Sequence, residues 1–324
     1  MGHRTGAQWV GAADDCVKLL TVFTPTFNRR TTLHRVYDSL CAQSIGVEHF
    51  EWLVVDDGST DGTAEQIATW ARVAAFPIRY VWQENGGKHR AWNRGVVEAA
   101  GELFLFFDSD DACTPDALEK IAAVWTELDA AERATLAGVL TRCCYPDGRP
   151  CGPPLPPLTR ADFAALVLVH GLRTETWMAM RTAVLREHTF PSGPRGKLVP
   201  ESTLWHLIAR HHRWVVLDER LRIYYADEFG SADQLSRPRP LRDQAPGLVL
   251  AYESLLENSW RHFFDAPFVF ARSAMHLSRF SLHARRSPLS PLATLGPRGA
   301  RALYATLLPL GVSMYLADRF RRRG

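Results

Sequence analysis

The sequence predicts an α/β protein with a mostly parallel central sheet and a helical C-terminal region. Short apolar runs alternate with helical patterns from residue 18 to residue 107, which is typical of parallel α/β winding. From about residue 244 onward the residues are helical in character. The chain has 324 residues, 46% of them hydrophobic, and can therefore bury a large core. We expect an N-terminal extension over residues 1–17, an α/β domain over 18–230 and a helical region over 231–324.

Four strands open the predicted α/β domain, and a helix follows each of the first three. The three helices end near Gln43, Val73 and Ala99. Pro115 begins a fourth helix, ending near Asp129, because proline suits a first helical turn, where its missing N–H costs no hydrogen bond. The strands are expected at Leu19–Thr24, Trp52–Asp56, Ile78–Trp82 and Leu103–Phe107.

The pattern is looser after the fourth helix. A stretch rich in proline and glycine over residues 145–157 predicts an irregular loop. On either side we expect a strand over 136–143, a helix over 160–170 and a strand over 176–180. A helix over 201–211 and two short strands over 214–217 and 221–225 complete the domain.

Composition excludes several classes of protein. Ten Trp and sixteen Phe cannot stay solvated at low cost, so a mainly disordered chain is excluded. The six cysteines form no CxxC pair, which favours a reduced, cytoplasmic chain and disfavours a structural zinc site. The basic residues are not interleaved with aromatic ones, and the rest of the chain is acidic, so we expect no nucleic-acid partner.

Charge is concentrated at the C-terminus. Residues 271–324 contain ten Arg and a single acid, Asp318, which gives +9, whereas the whole chain carries only +3. The apolar run Ala302–Ala317 lies among these arginines and is shorter than the roughly 20 residues that a spanning helix needs. We therefore expect an interfacial anchor and peripheral contact with the inner face of the plasma membrane. The alternative is a solvated, arginine-rich helix.

Polar residues follow each of the four predicted strands. Because the carboxyl ends of parallel strands meet at one edge of a sheet, these residues should gather there and form a ligand site. For Asp57 or Ser59 alone, the alternative is a helix cap. The four loops supply Thr26, Asn28 and Arg29; Asp56, Asp57, Ser59 and Asp61; Glu84, Asn85, Gly86, Gly87 and Lys88; and Asp108, Asp110 and Asp111.

The acidic residues after the fourth strand indicate a metal site. Asp108 and Asp110 can face the same side, where their mutual repulsion would raise their own pKa values. A divalent cation with a preference for oxygen ligands removes that cost, so magnesium or manganese is the expected cofactor. Water and phosphate oxygens of a substrate would complete the coordination. The alternative is an acidic cap on the following helix.

Lys88 offers positive charge beside the backbone N–H groups of Gly86 and Gly87, which suits an anionic ligand. Neither a P-loop nor a Rossmann glycine fingerprint is present in the sequence. A nucleotide would therefore be held by carboxylates and a metal ion.

Four motifs together resemble the family 2 glycosyltransferases of the GT-A fold, in their order and spacing over about residues 18–120. The C-terminal part resembles members of the bacterial surface-polysaccharide type. The motifs are Thr24-Pro-Thr-Phe-Asn-Arg, Leu53-Val-Val-Asp-Asp-Gly-Ser-Thr-Asp, Asn85-Gly-Gly-Lys and Phe107-Asp-Ser-Asp-Asp.

The resemblance implies a role for each matching residue. Pro25, Thr26 and Arg29 would line the base pocket, and Asp57 would hydrogen-bond the pyrimidine ring. Asp108 would lie near the ribose with Ser109 beside it, and Asp110 would hold the metal ion that bridges the donor diphosphate. Asn85 and Lys88 would flank the nucleotide and donor.

An inverting transfer also needs a base for the acceptor hydroxyl. The resemblance places it in a Glu-Asp pair about 90 residues after the metal motif, where this chain has Glu201 followed by Ser202. Glu201 is therefore the expected base, with Asp227 and Glu228 as the next candidates. The alternative for Glu201 is a capping carboxylate on the helix that follows it.

The resemblance thus implies metal-dependent, inverting transfer of a sugar from a nucleoside diphosphate sugar to an acceptor hydroxyl. We expect the donor sugar to be linked to UDP. The basic C-terminus suggests a glycan or lipid-linked acceptor and a role in cell-surface glycan synthesis. Two alternatives remain: an inactive nucleotide-sugar-binding protein of the same fold and a sugar-phosphate nucleotidyltransferase.

Overall fold

The computed structural model describes residues 8–10, 18–191, 199–225 and 240–321. The chain divides into two compact units. The sheet unit comprises residues 1–161, 173–189 and 213–230, and the helical unit comprises 162–172, 190–212 and 231–324. The predicted boundary at residue 230 differs from this division, because two earlier segments belong with the C-terminal helices.

One mixed sheet forms the centre of the sheet unit. Its strands are β1 Gln8–Val10, β2 Leu20–Thr26, β3 Phe50–Asp56, β4 Ile78–Trp82, β5 Leu103–Phe106, β6 Ala112–Cys113, β7 Leu136–Cys144, β8 Arg160–Ala161, β9 Thr176–Arg181 and β10 Arg213–Ile223. They lie in the order β1-β4-β3-β2-β5-β9-β7-β10-β6, and β8 pairs with β10.

The four strands that open the predicted domain lie parallel to one another in the order β4-β3-β2-β5, and β7 and β10 form a further parallel pair. β9 then lies antiparallel between β5 and β7, and β1 extends the other side as an antiparallel neighbour of β4. β1 lies within the predicted N-terminal extension.

The described helices are α1 His34–Cys41, α2 Thr63–Trp70, α3 Lys88–Glu98, α4 Ala117–Thr126, α5 Ala130–Thr135, α6 Phe163–Leu168, α7 Thr182–Glu187, α8 Ser202–Ile208, α9 Leu241–Asn258, α10 Pro267–His283, α11 Ser290–Thr294 and α12 Arg298–Arg321. In the sheet unit, helices cover both faces of the parallel strands, since alternate residues of a strand point to opposite sides. On one face Phe23 packs against Trp92 of α3. On the other face Trp52 packs against Tyr37 of α1 and Trp70 of α2.

The two short strands expected over 214–217 and 221–225 form the single strand β10. Its pairing with β7 shifts register between Val216 and Arg220, where the polar residues Asp218 and Glu219 interrupt the apolar pattern. The interruption is therefore an irregularity inside a strand and not a turn between two strands.

The helical unit contains α6, α8 and α9–α12, so the predicted helical C-terminal region is confirmed. Ser254 of α9 donates a hydrogen bond to the carbonyl of Thr203 in α8, at 2.7 Å. His206 of α8 lies 2.9 Å from the hydroxyl of Ser259, which follows α9. These contacts attach the segment of residues 199–212 to the C-terminal helices.

Candidate active site

The loops after β2, β3, β4 and β5 lie at one edge of the parallel strands and are hydrogen-bonded to one another. The first two are joined at Asn28, whose backbone N–H donates to Ser59 Oγ at 2.8 Å and whose Oδ1 accepts from the N–H of Thr60 at 2.9 Å. Asn28 has a φ of 52°, a left-handed conformation that asparagine tolerates better than most residues. The predicted gathering of polar residues is thus observed.

Asp57 connects the second loop to the third. Its Oδ1 accepts from Gln83 Nε2 at 2.7 Å and from the N–H of Gly86 at 2.9 Å, and its Oδ2 accepts from the N–H of Gly87 at 2.7 Å. Asn85 donates to the backbone carbonyl of Asp57 at 2.9 Å. The carboxylate therefore fixes the shape of the glycine loop, and Oδ2 retains acceptor capacity for a ligand.

The third and fourth loops meet in an ion-pair network. Lys88 Nζ lies 2.8 Å from Asp108 Oδ1, and Arg222 Nη2 lies 2.6 Å from Asp108 Oδ2. Arg222 also donates from Nε to Asp111 Oδ2 at 2.7 Å, and the backbone N–H of Tyr225 donates to Asp111 Oδ1 at 3.0 Å. Lysine and arginine thus engage two of the three aspartates.

These surroundings give Asp108 and Asp110 opposite electrostatic properties. Burial alone would raise the pKa of Asp108, but Lys88 and Arg222 outweigh it and hold the pKa at about 2. Burial and the neighbouring Asp108 carboxylate raise the pKa of Asp110. Among the described residues, none makes a hydrogen bond or ion pair with the Asp110 carboxylate.

Asp110 fits the expected metal ion. It offers an unpaired carboxylate whose charge a cation would offset, whereas the Asp108 carboxylate is already engaged by two cationic side chains. No group of three or more His, Cys, Asp or Glu side chains that could hold a metal ion is found in the described part of the chain. Magnesium is commonly bound through one or two carboxylates plus substrate phosphates, and a single protein ligand suits that arrangement.

The capping alternatives are wrong for both acidic loops. Asp116 occupies the position before α4, so Asp108–Asp111 do not cap that helix. Gly62 precedes α2, and the N–H of Thr63 is bonded to Asp61 and not to Asp57 or Ser59. Asp61 bonds the first turn of α2, whereas Asp57, Asp108 and Asp110 do not cap a helix.

A family model described as glycosyl transferase family 2 matches residues 21–135, the segment that carries all four loops. Residues 21–135 of this chain are thus a family 2 glycosyltransferase domain. An uncharacterized glycosyltransferase of Nostoc sp. is 27% identical in an alignment of 242 residues that covers 70% of this chain and 71% of that protein. The validoxylamine A glucosyltransferase of Streptomyces hygroscopicus subsp. jinggangensis is 34% identical over 131 residues, 40% of this chain but only 29% of that protein.

Solved structures show the fold. The S. aureus TarS 1-349 complex with UDP-GlcNAc has a TM-score of 0.61 at 20% identity, covering 93% of this chain and 92% of that chain. The mannosyltransferase PcManGT from Pyrobaculum calidifontis, in complex with GDP-Man and Mn²⁺, has a TM-score of 0.51 at 21% identity, covering 97% and 86%. The predicted GT-A fold of this glycosyltransferase is confirmed.

The remaining expected donor-site residues of the glycosyltransferase also lie along this edge. Pro25 and Thr26 are buried at the end of β2, and Thr26 Oγ1 has no hydrogen-bond partner among the described residues. Arg29 is half-buried and acts electrostatically on Asp110. The carbonyl of Ser109 accepts from Thr32 Oγ1 at 3.1 Å, which ties the fourth loop to the first.

Glu201 belongs to the helical unit, where it directly precedes α8. Its side chain makes no capping hydrogen bond to that helix, so the capping alternative is wrong. Its role as base stays a prediction. Asp227 and Glu228 lie outside the described residues.

Sequence reasoning missed Arg222. This residue is 4% exposed and bridges Asp108 and Asp111, although it lies more than a hundred residues after them. A signal was present, since an arginine within the apolar run Leu221–Tyr225 needs an acidic partner if the strand is buried.

Proposed function

We propose that this glycosyltransferase transfers a sugar from a UDP-linked donor to an acceptor hydroxyl, with inversion and with magnesium or manganese as cofactor. The observation that carries the proposal is the unpaired Asp110 carboxylate beside Asp108, which is fully paired. The proposed acceptor is a glycan or lipid-linked glycan on the cytoplasmic side of the membrane, for synthesis of a cell-surface polymer.

Donor binding is proposed at the edge formed by the four loops. Thr26 Oγ1 is a buried hydroxyl without a partner among the described residues, and such a group gains a hydrogen bond when a ligand arrives. Asp57 Oδ2 would accept from the pyrimidine ring while Gly87 continues to occupy its other side. The TarS complex with UDP-GlcNAc and the PcManGT complex with GDP-Man support a nucleotide-sugar donor.

Asp110 would hold the cation, and water and diphosphate oxygens would supply its other ligands. When bound, the cation offsets the negative charge that develops on the departing nucleoside diphosphate. Lys88 lies 2.8 Å from Asp108 and is the cationic side chain that the loop places beside the acidic motif. It would orient the donor by binding a phosphate oxygen.

The donor site is tested by calorimetric titration of UDP into the full chain, with and without Mn²⁺. We expect metal-dependent binding in wild type and its loss in Asp110→Asn. Asp116→Asn is a matched control, because it removes an aspartate charge that pairs with Lys120 outside the proposed site. No UDP binding by the folded wild-type chain, or equal binding by Asp110→Asn, would contradict this assignment.

The proposed base is tested with Glu201→Gln. We expect turnover to fall by two orders of magnitude or more, within the range of general-base catalysis, with UDP affinity unchanged. Glu187→Gln, an exposed carboxylate at the end of α7, serves as control. Unchanged turnover would remove Glu201 from this role and direct the same experiment to Asp227 and Glu228. UDP binding by wild type with no turnover of any UDP-sugar would favour the inactive binding protein.

A further inference from the structure

α12 has one face packed against α10. Gly311 lies so close to α10 that an added Cβ would be 1.7 Å from Ser278 Oγ. Asp318 accepts from Arg279 Nε and Nη2 at 2.6 and 2.7 Å and lies 2.9 Å from His283 Nε2. Tyr304 is fully buried and donates to the carbonyl of Pro288 at 2.6 Å. This face is therefore fixed within the helical unit.

The opposite face of α12 is exposed and apolar. Ala302, Ala305, Pro309, Leu316 and Phe320 recur at helical spacing along it, and Phe320 is 72% exposed. From residue 302 to residue 317 the helix carries no charged side chain, a length of about 24 Å at 1.5 Å per residue. By length and composition alone, α12 could cross a membrane.

The two hydroxyl residues on this exposed face bond back to the helix itself. Thr306 Oγ1 donates to the carbonyl of Ala302 at 3.0 Å, and Ser313 Oγ donates to the carbonyl of Pro309 at 3.0 Å. Their donors are therefore already satisfied, which lowers the cost of removing the face from water.

Arginines border the apolar face at both ends. Arg298 and Arg301 precede it and Arg319 and Arg321 follow it, with Arg322 and Arg323 next in the sequence. The one acid of this helix, Asp318, is turned toward Arg279 and His283 of α10. In the described part of the chain, no acidic side chain forms an ion pair with Arg298, Arg301 or Arg319. The exposed face thus combines apolar side chains with positive charge, as interfacial helices do.

We propose that the exposed face of α12 binds an anionic lipid surface, with the helix axis lying in the plane of the membrane. The charge distribution favours lipid over a second copy of this chain, because two such faces in an antiparallel pair would bring arginines against arginines. If α12 crossed the membrane, the contacts of Asp318 with Arg279 and His283 of α10 would lie within lipid. Burying these charged side chains in lipid would be costly. The proposal does not depend on the identity of the sugar donor.

The test is co-sedimentation of the full chain with phosphatidylcholine vesicles and with vesicles that also contain phosphatidylglycerol. Binding should require phosphatidylglycerol and weaken as salt is added. Leu316→Glu combined with Phe320→Glu should reduce binding by at least about tenfold, since it removes apolar burial and adds charge that anionic lipid repels. Val73→Glu combined with Val97→Glu is the matched control, because these valines are 73% and 71% exposed in the sheet unit.

A second variant, Arg298→Gln combined with Arg319→Gln, keeps the apolar face and should lose the salt-sensitive part of binding. It keeps the test decisive if the glutamate variant does not fold, which circular dichroism would reveal. Three results would overturn the proposal: equal binding by both variants and wild type, retention of wild type on vesicles after an alkaline carbonate wash, or a dimer in sedimentation velocity that the glutamate variant abolishes.

Discussion

Asp108 and Asp110 are two residues apart in sequence and have opposite surroundings. Lys88 and Arg222 pair with Asp108 and lower its pKa to about 2, whereas burial and the Asp108 charge raise the pKa of Asp110. An ionised carboxylate without a partner destabilises the folded state. Its presence therefore points to a role for its charge in binding a ligand. The contrast therefore separates a structural aspartate from one available to a ligand.

Asp110→Asn should stabilise the metal-free protein at neutral pH. The raised pKa means that the ionised side chain destabilises the folded state above that pKa, and the amide removes the charge at nearly the same volume. We expect a gain on the order of 1 kcal/mol, the size common for a functional residue replaced at the expense of activity. The gain should shrink as pH falls and Asp110 becomes protonated. Urea unfolding of wild type and Asp110→Asn at neutral and acidic pH would measure this gain. A lower stability of Asp110→Asn at neutral pH would contradict the prediction.

Arg222→Met should be strongly destabilising, because it leaves the buried Asp111 carboxylate and Asp108 without their guanidinium partner. Removing one member of a buried ion pair costs about 3–5 kcal/mol. Arg220→Met is the control, since Arg220 is an exposed neighbour that donates to the carbonyl of Gly148. Urea unfolding should separate the two variants, and similar stabilities would show that the Arg222 network contributes little.

At the scale of elements, the parallel strands were predictable and their antiparallel additions were not. β2 and β3 are buried throughout, so each appears in the sequence as an apolar run. The insertion of β9 between β5 and β7 depends on pairing between residues far apart, which local patterns do not encode. The same holds for β10, whose polar interruption looks like a turn until its pairing with β7 is known.

Gly311→Ala should destabilise the packing of α12 against α10. An added Cβ would lie 2.2 Å from the carbonyl oxygen of Met275, a backbone atom that cannot rotate away. We expect a loss of about 1–3 kcal/mol, as for overpacking elsewhere. Ser313→Ala on the exposed face of the same helix is the control. Thermal unfolding would measure the loss of stability, and hydrogen exchange would show whether α10 and α12 are affected. Unchanged exchange in these two helices would contradict the prediction.

Acid should weaken the helical unit through His206. Burial lowers the pKa of this imidazole from 6.5 to about 4. Between these two pH values the unfolded chain binds a proton that the folded chain does not, so stability falls as pH falls from 6.5 to 4. His206→Gln should flatten this part of the pH profile in thermal unfolding, and His211→Gln, at an exposed position, should not. An unchanged profile in His206→Gln would show that other groups cause the dependence.

Across the whole molecule, the site was predictable as far as residues adjacent to strand ends could reveal it. Asp57, Lys88, Asp108 and Asp110 follow such strands, and the parallel sheet brings them together. Arg222 was missed because it reaches the site through the pairing of β10 with β7. The hydrogen bonds from the backbone N–H groups of Gly86 and Gly87 to Asp57 were also not predictable. Every residue except proline has a backbone N–H, so the residue type does not show which one is bonded.

Thiol reactivity should report the folded state of the molecule. Among the described cysteines Cys41 is exposed and Cys113, Cys143, Cys144 and Cys151 are buried. Burial raises the pKa of Cys113 to about 12, which further suppresses its thiolate. In a Cys16→Ser background, a disulfide reagent should rapidly modify one thiol in the native chain and five after denaturation. Rapid modification of more than one native thiol would contradict the burial.

The hydrogen bonds that join the four loops also affect the entropy of ligand binding. Asn28 with Ser59, Asp57 with Gly86 and Gly87, and Lys88 with Asp108 order these segments during folding, before any ligand arrives. A nucleotide that binds at these loops does not have to immobilise them. The entropic cost of ordering the loops on binding is therefore largely absent. A variant that loosens a loop should therefore weaken nucleotide affinity mainly through a less favourable entropy, even when every atom that touches the nucleotide is unchanged.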